Sequence, residues 1–127
     1  MEQYLIDTNS VSDYFSASYS TEGISFMDAV IDDRPNLSVI SQIELLSWKT
    51  DIDIERKTKD FISDSFILGI SADVIALCVT LRRSKRIKTP DAIIAATALV
   101  NGYVLITNNE NDFKNIKGLK IINPQKL

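Results

Sequence analysis

The chain has 127 residues, of which 45% are hydrophobic and 24% charged, and its formal net charge is −3. That length and composition predict one globular domain spanning residues 1–127. The sequence contains no histidine, which excludes Ser-His-Asp and Cys-His catalysis, His-pair ribonuclease chemistry and His-ligated zinc. The acidic balance also means that the protein as a whole is not a basic nucleic-acid binder, so any positive surface must be local.

Nothing in the sequence predicts a membrane or secretory protein. No apolar run approaches the roughly 20 residues of a membrane-spanning helix, and no signal peptide opens the chain. The single cysteine, Cys78, lies in an apolar helical context and has no partner for a disulfide within the chain. We therefore expect a cytoplasmic protein, without a membrane partner, in which Cys78 belongs to the core.

Short apolar runs alternate with helical patterns along the chain. An apolar run at residues 4–6 predicts a buried strand, and Asp7 begins a short helix that continues to Phe15. A polar loop is predicted at residues 16–22, and a helix at residues 23–31. The later predictions are strands at residues 37–40, 65–70, 103–106 and 119–122, and helices from Ser41 through Trp48, over residues 51–63, after the cap Ser71, and from Thr89.

This alternation predicts an α/β fold with a central parallel sheet of four to five strands. The predicted strands are apolar throughout, as expected when helices cover both faces of a sheet. The helix after Ser71 is expected to turn one apolar face to the core, made of Val74, Ile75, Cys78, Val79 and Leu81.

The most apolar helix has Thr89 as its predicted N-cap and Pro90 as its first helical residue. Ala, Ile and Leu fill most of this helix, and Asn101-Gly102 supplies the stop. We therefore expect it to be largely buried. Its only carboxylate, Asp91, lies in the first turn, at the mouth of a buried element.

Four acids from four separate segments are expected at one edge of the sheet. Sites in open parallel sheets form at the carboxyl ends of the strands. Asp7 follows the first strand, Glu44 lies in the predicted first turn of the helix after the second, and Asp112 follows the fourth. The helix that carries Asp91 must begin at the same edge, because its other end leads into the fourth strand.

Carboxylates gathered in this way repel one another, and the usual compensation is a divalent cation. Ligation by oxygen alone suits Mg²⁺ or Mn²⁺. Such an ion lowers the pKa of a bound water and neutralises charge on a leaving oxygen, which is the chemistry of phosphodiester hydrolysis. The four acids are therefore predicted to be metal ligands and catalytic residues.

Each acid also has a purely structural explanation. Ser41 and Glu44 match the S-x-x-E capping box, which would make Glu44 a helix cap. Asp91 is favourable in any first helical turn, and Asp7 can cap the helix that follows it. Asp112 lies in an Asn-rich turn, where Asp is common. The sequence leaves both explanations open for each residue.

A basic run lies between the last two long helices. It is either a solvated helix end or a rim that contacts substrate phosphates beside the first turn with Asp91. Its members are Arg82, Arg83, Lys85, Arg86 and Lys88.

Several other side chains have two interpretations. Trp48, Phe15 and Phe61 are expected in the core or an interface rather than as base-stacking platforms. Asn108 and Asn109 either orient water or phosphate, or serve the turn that contains them.

The order of these motifs resembles that of the PIN-domain nucleases and, among them, the single-domain VapC-type toxins of bacterial and archaeal toxin–antitoxin pairs. The resemblance covers essentially the whole chain. Its most specific parts are the segments PDAIIAATAL (90–99) and TNNENDF (107–113). Its other parts are an apolar strand followed by Asp7-Thr8-Asn9, and Glu44 near the start of a helix.

The resemblance implies a three-layer α/β/α fold and a Mg²⁺- or Mn²⁺-dependent endoribonuclease that leaves a 5′-phosphate and a 3′-hydroxyl. Matching the family's acidic quartet are Asp7, Glu44, Asp91 and Asp112. Matching its supporting polar positions are Thr8, Asn9, Thr107 and Asn109. The implied partners are an RNA substrate (tRNA, rRNA or mRNA), a second copy of the chain in a homodimer, and a small cognate antitoxin that inserts a segment at or near the acidic site.

Other functions stay open at this stage. One is a housekeeping PIN nuclease of RNA processing, and another is a non-catalytic PIN module that binds RNA or protein. An aspartyl-phosphate domain is disfavoured, because Asp7-Thr8-Asn9-Ser10 lacks the second acid that this chemistry needs.

Overall fold

The structure is a computed structural model that describes residues 2–16 and 18–127. Helices and strands alternate through most of it. In chain order they are β1 (Tyr4–Ile6), α1 (Thr8–Phe15), α2 (Thr21–Asp32), β2 (Asn36–Ser38), α3 (Val39–Ser47), α4 (Ile52–Ser63), β3 (Phe66–Leu68), α5 (Ala72–Ser84), α6 (Thr89–Asn101), β4 (Val104–Ile106), α7 (Glu110–Phe113) and β5 (Ile121–Ile122), followed by a 3-10 turn (Pro124–Lys126).

The five strands form one parallel sheet in the order β3-β2-β1-β4-β5. The central pair is β1 and β4, with Leu5 opposite Leu105 and Ile6 opposite Ile106. Because all strands run the same way, their carboxyl ends meet at one edge. The predicted α/β fold with a parallel sheet of four to five strands is confirmed.

Side chains of the central strands alternate between two apolar cores, as the pleat of a strand requires. Leu5 and Leu105 belong to a core that also contains buried residues of α5 and α6. Ile6 and Ile106 belong to a second core, with buried residues of α1 to α4. Helices therefore cover both faces of the sheet, and the predicted three-layer arrangement is confirmed.

Helix α6 is buried along most of its length, as its composition predicts. It ends at Gly102, whose backbone is left-handed with φ 69°, a conformation that glycine adopts without strain. Its predicted start is wrong by one residue. Lys88 takes the N-cap position and Thr89 is the first helical residue, while the Thr89 hydroxyl accepts a hydrogen bond from Arg82.

Several predicted boundaries also move. β1 matches its predicted run, whereas the other four strands are shorter than predicted and β2 begins one residue earlier. Helix α3 begins at Val39 rather than Ser41. Helix α2 begins at Thr21, inside the predicted loop of residues 16–22. That loop prediction includes Ala17, which lies outside the described residues.

The predicted apolar face of α5 is only partly right. Val74, Cys78 and Leu81 are buried, which confirms Cys78 as a core residue. Ile75 and Val79 are more than half exposed, because the face that packs against α6 is narrower than the apolar stripe of the sequence. Throughout the described residues, no helix is long and apolar enough to cross a membrane.

Gly23 is expected to be the glycine least tolerant of a side chain. A Cβ atom at this position would lie 2.6 Å from the backbone oxygen of Pro124, whereas one at Gly69 would meet no atom within 4 Å. Gly23→Ala should therefore lower the free energy of unfolding by about 1–3 kcal/mol, as overpacking does. Gly69→Ala is the matched control and should change it by less than about 0.5 kcal/mol. Denaturant unfolding measures both, and equal effects would contradict this packing.

Candidate active site

Asp7 is fixed at the carboxyl end of β1 by three hydrogen bonds. Its backbone N–H donates to the Ile106 carbonyl (3.0 Å). Its Oδ1 accepts from the Ser10 backbone N–H (2.9 Å), which caps α1, and its Oδ2 accepts from the Thr107 hydroxyl. The carboxylate is therefore held between β1 and the residue that follows β4.

Burial dominates the electrostatics of Asp7. Its residue surface is only 4% exposed, and this desolvation raises the pKa of the carboxyl although hydrogen bonds from Thr107 and Ser10 act in the opposite direction. Thr107 is itself held in place, because its oxygen accepts from the Asn109 backbone N–H (3.0 Å). A buried carboxylate with two supporting donors is thus available at the sheet edge.

Glu44 is held by Thr8. The Thr8 hydroxyl donates to Glu44 Oε1 (2.7 Å), and the Thr8 oxygen lies 3.0 Å from that of the buried Ser41 hydroxyl. Of the two explanations left open for Glu44, the capping box is wrong, because Ser38 caps α3 and its oxygen accepts from the Ile40 N–H. Ser41 is consequently the third residue of α3 and Glu44 the sixth, so Glu44 lies beyond the predicted first turn.

Asp91 lies half-buried in the first turn of α6, at the edge where β1 ends. Burial is the main cause that raises the pKa of its carboxyl, and the negative charges of Asp112, Glu44 and Asp7 raise it further. Lys88 acts in the opposite direction but is the weakest of these causes. Each of the three neighbouring acids thus acts on Asp91 more strongly than Lys88 does.

A small cleft joins three of these acids. Its volume is about 90 Å³, enough for an ion with a few waters. The residues that line it include Asp7, Glu44 and Asp91 with Thr8, Asn9 and Asn109. Asp112 is exposed on the short helix α7 and is not part of this lining. It is nevertheless close enough to raise the pKa of Asp91.

The oxygen donors at this edge fit a divalent cation in chemistry. Within residues 2–16 and 18–127, no three acidic or cysteine side chains converge closely enough to form a ligand set as they stand. Mg²⁺ needs only one or two direct carboxylates and keeps several waters. The buried Asp7 and the negative charge around Asp91 are therefore suited to an ion held partly through water.

Two acids of α7 have different surroundings. Glu110 forms an ion pair with Lys126 and accepts a hydrogen bond from Asn123 (3.1 Å), and these contacts lower its pKa. Asp112 instead raises the pKa of Asp91. Of the two acids of α7, Asp112 therefore acts on the cleft residue Asp91, whereas Glu110 is engaged by Lys126.

The basic run lies beside this edge. Lys88 directly precedes α6 and is close enough to Asp91 to lower its pKa. Arg82, as a donor to Thr89, also reaches the start of that helix. The remaining members lie at and just after the end of α5. Arg83 and Arg86 are exposed, and Lys85 is half-buried.

The aromatic predictions divide. Phe61 is buried and packs edge-on against the partly buried Phe15 at 5.6 Å between ring centroids, so the prediction that they belong to the core is confirmed. Trp48 is 41% exposed and lines the acidic cleft. A core position is therefore wrong for Trp48, and an interface position stays a prediction.

The two asparagines of the turn also differ. The Asn108 amide donates to Asp13 and lies 3.4 Å from the Tyr19 hydroxyl, so it ties the turn to α1 and the segment that follows α1. Asn109 is exposed and lines the cleft.

The sequence matches the model of the PIN-domain family over residues 4–119. The chain belongs to the PIN-domain family. It is also 31% identical to a chain of a toxin–antitoxin complex from Klebsiella pneumoniae, with a TM-score of 0.74 over 96% of this chain and 98% of that one. These likenesses confirm the resemblance found in the sequence.

Two further likenesses cover different shares of the chain. Over 36 residues the chain is 53% identical to "Ribonuclease VapC1" of Rickettsia felis, a match that covers 28% of this chain and 27% of that protein. The VapBC complex bound to DNA from Salmonella typhimurium contains a chain with a TM-score of 0.78 over 98% of this chain and 99% of that one. Its identity is 22%, so it supports the fold alone.

One residue of the candidate site is not predicted from the sequence. The capping-box pattern offers Ser41 only as a helix cap, whereas its hydroxyl contacts that of Thr8, which donates to the Glu44 carboxylate. Its spacing of three residues from Glu44 places both on one face of a helix. That spacing was the available signal, and the coincident capping-box pattern concealed it.

Proposed function

We propose that this chain is a divalent-metal-dependent endoribonuclease and the toxin of a toxin–antitoxin pair. It would act as a single PIN-like nuclease domain over residues 1–127, in the cytoplasm, and leave a 5′-phosphate and a 3′-hydroxyl. The observation that carries the proposal is the cleft lined by Asp7, Glu44 and Asp91, at which hydrogen bonds from Thr107 and Thr8 hold two of the three carboxylates.

In this proposal the four acids hold Mg²⁺ or Mn²⁺, partly through water. When bound, the ion supplies a water of lowered pKa and neutralises charge on the leaving oxygen. Asp7 is oriented by Thr107 and Ser10. Glu44 is oriented by Thr8, and Asp91 is anchored by the buried body of α6. Support of this kind fixes the positions of these carboxylates at the edge of the sheet.

The polar residues around the acids are proposed to position water and phosphate. Asn9 and Asn109 line the cleft with Thr8, and Thr107 joins Asn109 to Asp7. The basic run supports the same proposal, because cations beside an acidic site attract the phosphates of RNA. Its proposed phosphate contacts are Arg82, Arg83, Lys85, Arg86 and Lys88.

A toxin role requires partners. The relative from Klebsiella is a chain of a toxin–antitoxin complex, and we propose a cognate antitoxin and a homodimer for this chain by analogy. Large apolar side chains stay exposed on two parts of the surface, which supports such contacts. They include Ile43, Leu46 and Ile52 of α3 and α4, and Ile75 and Val79 of α5.

Metal removal tests the activity. The purified chain should cleave RNA in the presence of Mg²⁺ or Mn²⁺, lose that cleavage on addition of EDTA, and recover it with excess metal. Sequencing of the 5′-phosphate ends identifies the cut and the substrate. Cleavage that persists in EDTA would contradict metal dependence, and no cleavage of any RNA would favour a non-catalytic binding module.

The same ends, collected after induction in a bacterial host, address the biological role. Growth arrest together with one dominant cut in tRNA, rRNA or mRNA supports a toxin. Maturation of a precursor RNA without growth arrest would instead indicate a housekeeping nuclease.

A further inference from the structure

Trp48 connects the acidic cleft to a second cavity. It lies where α3 ends and the chain turns toward α4. Its side chain lines the cleft together with Asp7, Glu44 and Asp91. It also lines a neighbouring cavity of about 280 Å³, so an exposed indole forms the boundary between the two.

The neighbouring cavity has the surroundings that a planar heterocycle prefers. Phe15, Leu45 and Leu46 provide apolar walls beside the indole. Thr50 and Lys59 add polar groups that can donate to ring nitrogens, carbonyl oxygens or an adjacent phosphate. Its volume lies near the lower end for small-molecule sites, about 300 Å³, and therefore suits one such group.

The acidic cleft is too small for a whole nucleotide. A volume of about 90 Å³ accommodates an ion, waters and part of a phosphate, so the bases on either side must lie outside it. Single-stranded RNA is bound in proteins largely by stacking of unpaired bases on aromatic side chains. Trp48 is the exposed aromatic side chain in the cleft lining.

We propose that Trp48 is a stacking platform for an unpaired nucleobase next to the scissile phosphate, and that the adjoining cavity receives this base. The inference rests on the proposed nuclease function and adds to it a means of substrate recognition outside the acids. Trp48 is then a substrate-binding residue rather than a catalytic one.

Substitutions that separate stacking from apolar contact test this role. For a single-stranded oligoribonucleotide, Trp48→Leu should raise KM about 5- to 100-fold, the range for loss of base stacking, with kcat changed less than about twofold. Trp48→Phe retains an aromatic face and should restore most of the affinity. Phe66→Leu, at a half-exposed aromatic residue on β3, is the matched control and should leave KM unchanged.

Fluorescence tests the inference without any substitution. Trp48 is the only tryptophan of the chain, so its emission reports directly on the platform. In EDTA, an oligoadenylate of about 12 nucleotides should quench it, and an abasic oligomer of the same length should quench it far less.

Two results would overturn the inference while the nuclease function stands: an unchanged KM in Trp48→Leu, or equal quenching by both oligomers. A chain that cleaves no RNA overturns the nuclease proposal, and the quenching experiment still decides the stacking role. If neither oligomer quenches the emission, the stacking role is likewise wrong, and contact with a protein partner becomes the explanation for the exposure of Trp48.

Discussion

Asp91→Asn is expected to abolish RNA cleavage and to stabilise the metal-free protein. Loss of a direct metal ligand should lower kcat/KM by more than about 100-fold, because groups behind a ligand already contribute about 10- to 100-fold. The substitution also replaces a half-buried carboxylate by a neutral amide, and burial and three neighbouring acids disfavour the charged form of that carboxylate. Thermal unfolding in EDTA at pH 7 should therefore give a Tm higher by about 1–4 °C.

The pH dependence of that gain follows from the sign of the shift. The pKa of Asp91 is raised in the folded state, so the folded protein binds a proton at this carboxyl more tightly than the unfolded chain does. Ionisation of Asp91 at higher pH therefore destabilises the fold. The destabilisation is absent below the unfolded pKa and grows as pH rises through the folded one. The difference in Tm between the wild type and Asp91→Asn should thus disappear below about pH 3.8, the ordinary pKa of an aspartate carboxyl.

Asp73 offers a matched control for Asp91. It also lies in the first turn of a long helix, α5, but is exposed. Asp73→Asn should leave cleavage unchanged and lower Tm slightly, because it loses a favourable interaction with the helix dipole. A Tm that falls in Asp91→Asn as well would mean that Asp91 is a structural cap, and would weaken the proposed site.

Asp112→Asn should reduce kcat/KM by about 10- to 100-fold, and Glu110→Gln should change it by less than about twofold. Both acids lie on α7, so a general effect of charge or of helix stability would act on both. Of the two acids, Asp112 raises the pKa of Asp91, whereas Glu110 is paired with Lys126. Initial rates over a range of Mg²⁺ concentrations measure the two variants.

The shape of that metal titration gives a second criterion. Asp112→Asn should shift half-maximal activity to higher Mg²⁺, because one acid fewer holds the ion. Glu110→Gln should superimpose on the wild type. Equal losses in the two variants would contradict the assignment of Asp112, and a loss confined to Glu110→Gln would reverse it.

Much of the fold follows from local sequence patterns. The run at residues 4–6 is apolar and short, and β1 occupies those residues. The composition of α6 predicts burial, and Gly102 ends the helix where its lack of a Cβ permits a positive φ. Such features are predictable because the pattern itself carries the physical cause.

Several errors of the sequence predictions occur where contacts with residues distant in the sequence determine the position of a side chain. Ser41 and Glu44 satisfy a local capping pattern, but Thr8, more than 30 residues earlier, binds both. Ile75 and Val79 share the apolar stripe of α5, but the packing against α6 leaves them outside. The exposure of Trp48 likewise depends on how α3 and α4 meet. No single segment contains that information, because tertiary contacts override local propensity.

The hydrogen bond between Thr107 and Asp7 joins residues 100 positions apart, and it has a consequence for synthesis of the chain. Contacts of such separation carry a large loop-closure cost and form only when most of the chain is present. A ribosome-bound fragment that ends before β4 lacks both Asp112 and the donor that orients Asp7. In the proposed nuclease, the acidic site is therefore complete only after β4 and α7 have been synthesised.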